Sequence, residues 1–473
     1  MLRNLALLTD LYEYSMANGF LQQLPKDRAT FDIFFRRVPD EGSFVIAAGL
    51  QQVVGELQKL HFDASDIAYF KQLKLYDEAF IDYLANFKLD CEITAVPEGT
   101  PIFPREPLMT IEGPLVQVQM LETLVLNILN HQSLIATKAR RINYAAAGRP
   151  VMEFGARRAQ GPDSATYGAR AAIIGGCSST SNVLAAKQFQ IPAAGTMAHS
   201  WVEAFDDELT AFQKWAEIYP DNSALLVDTY DVLKSGIPNA IKVFQQLVAT
   251  GHQPVGIRID SGDIGYLTKK ARQMLDQAGF MQAKITVSNA LDENVITALL
   301  QEQAPIDNFG IGEKLITSSS SPVLSGVYKM AAIERDGRII PKIKISGSRE
   351  KITLPGRKRT YRLFYPGTDK AFADVIALAD ERIDGRPLEV INSDPLSVKN
   401  PTVIQDFDAR ELQQTVNLAQ STDKSVFEIQ RFSKGRLAQL PDETQRLTNP
   451  DRYMVFMSKS LADLQQALLD QRL

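Results

Sequence analysis

The chain has 473 residues, 45% of them hydrophobic and 23% charged, the balance of an ordinary globular protein rather than a disordered or fibrous one. At about 150 residues per domain this predicts two or three domains, each large enough to bury a core. A formal net charge of −5 argues against a surface built for a polyanion, so nucleic acid is not an expected partner.

The chain opens on "MLRNLALLTDLYEYSMANGF", where Asp10 and Glu13 interrupt the apolar stretch before a signal-peptide core could form. No run of 18 apolar residues follows, so no membrane span is expected. Only Cys91 and Cys177 occur, which excludes a disulfide framework and any CxxC metal site and fits a reducing cytoplasm. Residues 1–115 mix a helical start with β-rich text such as "RATFDIFFRRVP", which predicts an N-terminal mixed α+β domain. The periodic segment 115–148 predicts one or two helices.

From about 150 to 330 short apolar runs alternate with amphipathic segments, the pattern of βα units around a parallel sheet. The expected strands are 150–155, 191–195, 224–229, 254–260, 284–289 and 307–312, and six of them suit an α/β barrel better than a sandwich. The intervening helices close on glycines where C-caps belong. The barrel, with the active site, is assigned to 116–342 and a smaller C-terminal region to 343–473. In that last region Arg349, Lys351, Arg357, Lys358, Arg359 and Arg362 read either as a solvated face or as a basic rim for anionic substrates.

Ligands of parallel βα folds bind at the carboxyl ends of the strands. Polar residues stand there in nearly every unit: Glu153 with Arg157 and Arg158, Thr196 with His199, Asp228-Thr229, Arg258 with Asp260 and Asp263, Ser288-Asn289, and Gly310 with Gly312. Asp228-Thr229 fits a helix N-cap as well as a ligand, and "GIRIDSGDIG" fits a tight turn as well as a magnesium-bound sugar phosphate or ribose hydroxyls. The arginines with the serine- and glycine-rich turns favour an anion, and "GGCSSTSNVLAAKQF" (175–189) resembles a phosphate-binding helix start. His199, one of four histidines, could then act as a nucleophile toward a phosphoryl group, with Glu153 orienting it.

Several stretches in order, "LLTDLYEYSMANGF", "FDIFFRRVP", "EFGARRAQGPDSATYGARAAIIGG", "STSNVLA", "GTMAHSWVEAF", "LLVDTYD", "GIRIDSGD" and "NFGIGEKLITS…GVYKM", together resemble nicotinate phosphoribosyltransferases. The resemblance implies an irregular α/β barrel beside an N-terminal mixed domain, a homodimer with shared active sites, and ATP-coupled, ligase-type formation of nicotinate mononucleotide from nicotinate and phosphoribosyl pyrophosphate with Mg²⁺. It implies that His199 is the histidine phosphorylated by ATP, that Tyr12 and Thr196 contact nicotinate, and that Arg157 and Arg258 stand near the pyridine and its carboxylate. Asp260 falls with the ribose-phosphate contacts, and Gly310, Gly312 and Thr317 would line the 5-phosphate site beside Ser288 and Asn289.

Nicotinamide-specific relatives are similar but carry a carboxylate where Ser181 stands, which favours the acid as substrate here. "IGEKLITSSSS" departs from their glycine-rich loop. Three other readings compete: the same chemistry on nicotinamide, a noncatalytic phosphosugar-binding barrel, and an unrelated barrel lyase or aldolase. The last expects a Schiff-base lysine at a strand end, and none of the six expected strands ends in one.

Overall fold

Seven consecutive residues of the strand Arg28–Phe35 are buried, so both its faces are covered. It pairs antiparallel with Met109–Pro114 on one side and Gly326–Arg335 on the other, which places it inside a six-stranded sheet. The computed structural model describes residues 4–397, 400–419 and 424–471, in two compact units.

The first unit joins 1–134 with 323–424 and 431–473. Its first sheet therefore takes strands from opposite ends of the sequence, including Gln414–Val416 at one edge. Phe31, Ile33, Phe35, Ile93, Ile111 and Leu121 are among its fully buried side chains, each contributing about 1.5–3 kcal/mol by leaving water. The second sheet of this unit centres on Lys358–Phe364, Ala371–Leu378 and Met454–Ser458.

The basic cluster of this unit is neither a solvated face nor a rim. Strand alternation turns Lys358 and Arg362 inward, where Lys358 pairs with Asp32 at 2.8 Å and Arg362 with Asp374 at 2.7 Å. Arg357 pairs with Glu112 and Glu334, and Arg359 with Glu411. Only Arg349 and Lys351 are exposed. Charge counting along a sequence cannot reveal the acidic partners, which stand on other strands, from Asp374 directly opposite in the next strand to Asp32 in the first sheet.

The second unit, 135–322 with 425–430, is a barrel-like α/β body. Its six strands are all parallel, in the order Ser179–Thr180, Val151–Glu153, Asn308–Ile311, Lys284–Asn289, Gly256–Ile259, Ala224–Leu226. Five of the expected strands are there. The sixth, 191–195, is not; it contributes only a parallel bridge from Ala193 to Thr180, and the strand Ser179–Thr180 stands instead within the segment expected to open a helix. Pro192 lacks the N–H that a ladder there would use.

The helices Ile237–Ala249 and Ile264–Gln277 pack Phe244, Leu247, Ala271 and Leu275 inward, and the glycines past their ends, Gly251 and Gly279, adopt φ of +87°. The long periodic segment forms two helices, Leu115–Gln119 and Glu122–Ala145. Among the described residues, no helix is long and apolar enough to cross a membrane.

Candidate functional site

The parallel strands of the second unit end together, and the short turns that follow them carry the polar residues. At the centre is Arg258, in the strand Gly256–Ile259, with 13% of its side chain exposed. Its Nε donates to Ser288 Oγ at 2.7 Å, Nη1 to Thr196 Oγ1 at 3.1 Å and Nη2 to Asp260 Oδ1 at 2.7 Å. Ser288 in turn donates to the same carboxylate oxygen. One guanidinium thus ties the end of its own strand to the strand Lys284–Asn289 and to the segment bearing Thr196, and three of its five N–H groups are used, leaving two for a ligand.

Burial alone would raise the Asp260 carboxyl, but the Ser288 hydroxyl and the Arg258 guanidinium outweigh it and hold that group below the usual carboxylate range. Its other oxygen faces His199 Nε2 at 4.0 Å, and His199 Nδ1 lies 3.1 Å from Thr229 Oγ1. The imidazole sits at the start of the short helix His199–Glu203 with 40% of its side chain exposed, so a bound phosphoryl group could reach it.

Asp228 completes the cluster. Its Oδ2 accepts from Asp260 N at 3.0 Å and Ser261 Oγ at 2.6 Å, while its Oδ1 is buried without a partner. The helix cap expected at Asp228-Thr229 is supplied by Asp231 instead, which accepts from Leu233 N and Lys234 N. In "RIDSGD" the two acids divide: Asp263 caps the helix Ile264–Gln277, and Asp260 faces the site.

Glu153 does not orient the histidine. Fully buried, it accepts from Thr180 Oγ1 at 2.5 Å and from the Gly155 backbone, tying two strand ends to the turn that bears Arg157. Burial raises its carboxyl, opposed in part by those two donors. Arg157 and Arg158 are exposed; Arg158 lies 3.6 Å from Glu313, and Arg157 makes no ion pair or hydrogen bond among the described residues. The expected convergence of these arginines with Arg258 is therefore not a network of contacts. Ser181 is exposed at the end of Ser179–Thr180, held through its backbone N–H to Glu153 O at 2.9 Å.

Gly310 ends beside Phe154, and a Cβ at Gly310 would stand 2.5 Å from that ring, so only glycine allows the ring its place. Arg258 lies over the same ring, 5.6 Å from its centroid. Phe154 is the residue that sequence reasoning missed, and its position inside "EFGARR" was the available signal. Gly312 precedes the four-residue helix Glu313–Ile316, and Thr317 spends its hydroxyl on Glu313 O at 2.7 Å. The serine loop after it is braced from below: buried Lys138 donates to Ser320 Oγ at 2.8 Å and pairs with Glu293 at 2.8 Å, which also holds Arg141. Asn289 is exposed and folds back on Ala290 N at 2.6 Å. Tyr12 belongs to the first unit, on the helix Leu11–Gln23, where its ring is 45% exposed beside Glu122.

Comparison with known proteins covers nearly the whole chain. Residues 7–130 match the nicotinate phosphoribosyltransferase N-terminal domain, 150–351 the nicotinate phosphoribosyltransferase family, and 357–465 the corresponding C-terminal domain. A nicotinate phosphoribosyltransferase of Bacillus subtilis (strain 168) is 42% identical over 461 residues, covering 96% of this chain and 93% of that protein. The human enzyme of that name is 33% identical over 529 residues, covering 98% of this chain and 96% of that protein. The crystal structure of human nicotinic acid phosphoribosyltransferase superposes with a TM-score of 0.85 at 29% identity, covering 97% of this chain and 99% of that one.

Proposed function

The chain belongs to the nicotinate phosphoribosyltransferase family, and from that premise we propose that it forms nicotinate mononucleotide from nicotinate and phosphoribosyl pyrophosphate, coupled to ATP hydrolysis through phosphorylation of His199. The observation that carries this reading is the Arg258 network, which sets a guanidinium, two carboxylates and an imidazole around one strand-end space. The pyridine nitrogen attacks ribose C1 as the bond to pyrophosphate breaks, and pyrophosphate leaves with the electron pair. Phe154 offers its face to the pyridine, while the free N–H groups of Arg258 and the unpaired Arg157 are available to the carboxylate. The loop from Gly310 to Ser321, braced by Lys138, would receive the 5-phosphate.

In the coupling step an imidazole nitrogen attacks the terminal phosphorus of ATP and ADP departs with the electrons of the broken P–O bond. Asp260 stabilises the positive charge that develops on the ring, and water later releases phosphate from the histidine. The same reading places the reaction in the cytoplasm and makes the working unit a homodimer, with Tyr12 reaching nicotinate.

Magnesium fits the donor set in a limited way. Among the described residues, no group of three or more His, Cys, Asp or Glu could cage a metal. Mg²⁺, however, ordinarily keeps its waters and takes one or two carboxylates with substrate phosphates, and the unpartnered Oδ1 of Asp228 beside Asp260 suits that role. When bound it would neutralise charge on pyrophosphate. Turnover is expected to vanish in excess chelator and return on adding Mg²⁺; full activity in chelator would remove the metal from the reaction.

The substrate test is turnover with phosphoribosyl pyrophosphate and either nicotinate or nicotinamide, with and without ATP. Nicotinate should be preferred in kcat/KM, and preference for the amide would reverse the reading. Because Ser181 is uncharged and exposed at a strand end, Ser181→Asp should raise the KM for nicotinate by about tenfold through like-charge repulsion and change the amide less. An unchanged acid KM would show that Ser181 does not face the ring.

A further inference from the structure

His199 opens a helix of only five residues, His199–Glu203, too short to hold its own place, because a single turn forms few hydrogen bonds for the residues it fixes. What holds it is the next helix. Trp201 donates its indole N–H to Ala211 O at 3.0 Å, inside the helix Glu208–Ile218, and its ring meets Trp215 edge-on with centroids 5.2 Å apart. Phe205 closes on the same indole at 5.0 Å. Only residues 204–207 join the two helices, and Asp207 caps the second by accepting from Thr210 N at 2.9 Å.

The same helix is anchored to the element that follows Thr229. Glu208, buried in its first turn, accepts from Asn239 Nδ2 at 3.0 Å, and Gln213 Nε2 donates to Gln246 Oε1 at 3.2 Å, so Glu208–Ile218 is bonded twice to the helix Ile237–Ala249. That second helix continues directly from one turn of π-helix, Val232–Gly236, a rare geometry that recurs at functional sites. Gly236 lies so close to the strand end that a Cβ there would collide with Val227 O, two residues before Thr229.

His199 and Thr229 are thus joined in two ways, directly at 3.1 Å and through a ring of packed elements that runs from Trp201 to Ala211, from Glu208 to Asn239, and from Gly236 back to Val227. We propose that Trp201 and Glu208 are positioning residues for the imidazole: they fix the helix Glu208–Ile218 between the two partners and so set where His199 stands against Thr229. The proposal rests on the reading of His199 as the phosphoryl acceptor. Attack on phosphorus tolerates little displacement of the nucleophile, since a shift of roughly 1 Å can cost about 10²-fold in rate. Ribosyl transfer at C1 does not use the imidazole, so loss of this support should fall on the ATP-dependent step alone.

The test uses the full-length protein and two readouts, the rate of acid-labile labelling by γ-labelled ATP and the kcat/KM for nicotinate without ATP. Trp201→Phe keeps a ring against Trp215 but removes the N–H, so labelling should slow about tenfold while ATP-free turnover stays within about twofold of the parent. Glu208→Ala releases Asn239 and should slow labelling about fivefold; it decides the matter should the Trp201 variant fail to fold. Glu208→Gln keeps an accepting oxygen and the same volume, and should label within about twofold of the parent. Labelling near the parental rate in both Trp201→Phe and Glu208→Ala would overturn the proposal. So would an equal fall in labelling and in ATP-free turnover, the mark of general damage. A parent protein that takes up no acid-labile phosphate would remove His199 as the acceptor, and the proposal with it.

Discussion

Replacing His199 by asparagine is expected to abolish acid-labile protein phosphate and all stimulation of nicotinate turnover by ATP, while slow ATP-independent nucleotide formation survives. The expectation follows from where the ring stands. Thr229 lies 3.1 Å from one nitrogen and the Asp260 carboxylate 4.0 Å from the other, so the imidazole is held from both sides yet remains 40% exposed to an incoming phosphoryl group. Asparagine keeps a polar contact for Thr229 but supplies no nucleophile. A phosphohistidine adds negative charge and three acceptor oxygens beside Asp228 and Asp260, where a pyrophosphate and its counter-ion would be ordered. Two charge-assisted hydrogen bonds at roughly 1.5–3 kcal/mol each would give on the order of 10² or more in kcat/KM, the loss expected of the variant. Labelled ATP that still phosphorylates His199→Asn, or ATP stimulation that persists in full, would place the coupling elsewhere.

Much of this site was legible in the sequence, because strand ends are local features. An apolar run followed by a polar pair identifies where a side chain leaves the sheet, and Thr196, His199, Arg258, Asp260 and Ser288 were all found in that way and do meet in one network. What failed was assignment of partners. Sequence placed Glu153 beside His199, but the partners are Thr229 and Asp260, from two other strand ends, and only register decides that. The strand Ser179–Thr180 was hidden because two residues carry no detectable period, whereas the apolar run 191–195 forms only a single bridge. Phe154 was overlooked for a different reason: an aromatic residue after a buried strand reads as core until the glycine opposite it is known. The antiparallel pairing of Arg28–Phe35 with Gly326–Arg335 joins positions about 300 apart, and no local pattern announces it.

Arg258→Lys is expected to lower kcat/KM for nicotinate by 30-fold to 1,000-fold, about 2–4 kcal/mol, although it conserves the charge. The size of the loss comes from geometry. Three different nitrogens of Arg258 bond three different residues, Ser288, Thr196 and Asp260, at 2.7, 3.1 and 2.7 Å. A lysine ammonium is a single point that could keep the Asp260 contact or the Thr196 contact but not span both. Thr196 and Ser288 would lose the group that fixes them, and the ring of Phe154 would lose the guanidinium above it. A second readout separates this from general damage. The Asp260 carboxyl is held below the usual carboxylate range against its burial by Ser288 and Arg258, so its ionised form persists as pH falls until that depressed value is reached. With Arg258 replaced, burial is less opposed and the folded-state value rises. The acid limb of the kcat/KM profile should therefore move to higher pH in the variant, and the alkaline limb should stay in place. A variant with near-parental kcat/KM and an unmoved acid limb would show that charge alone, and not the three-way fork, is what the site requires of Arg258.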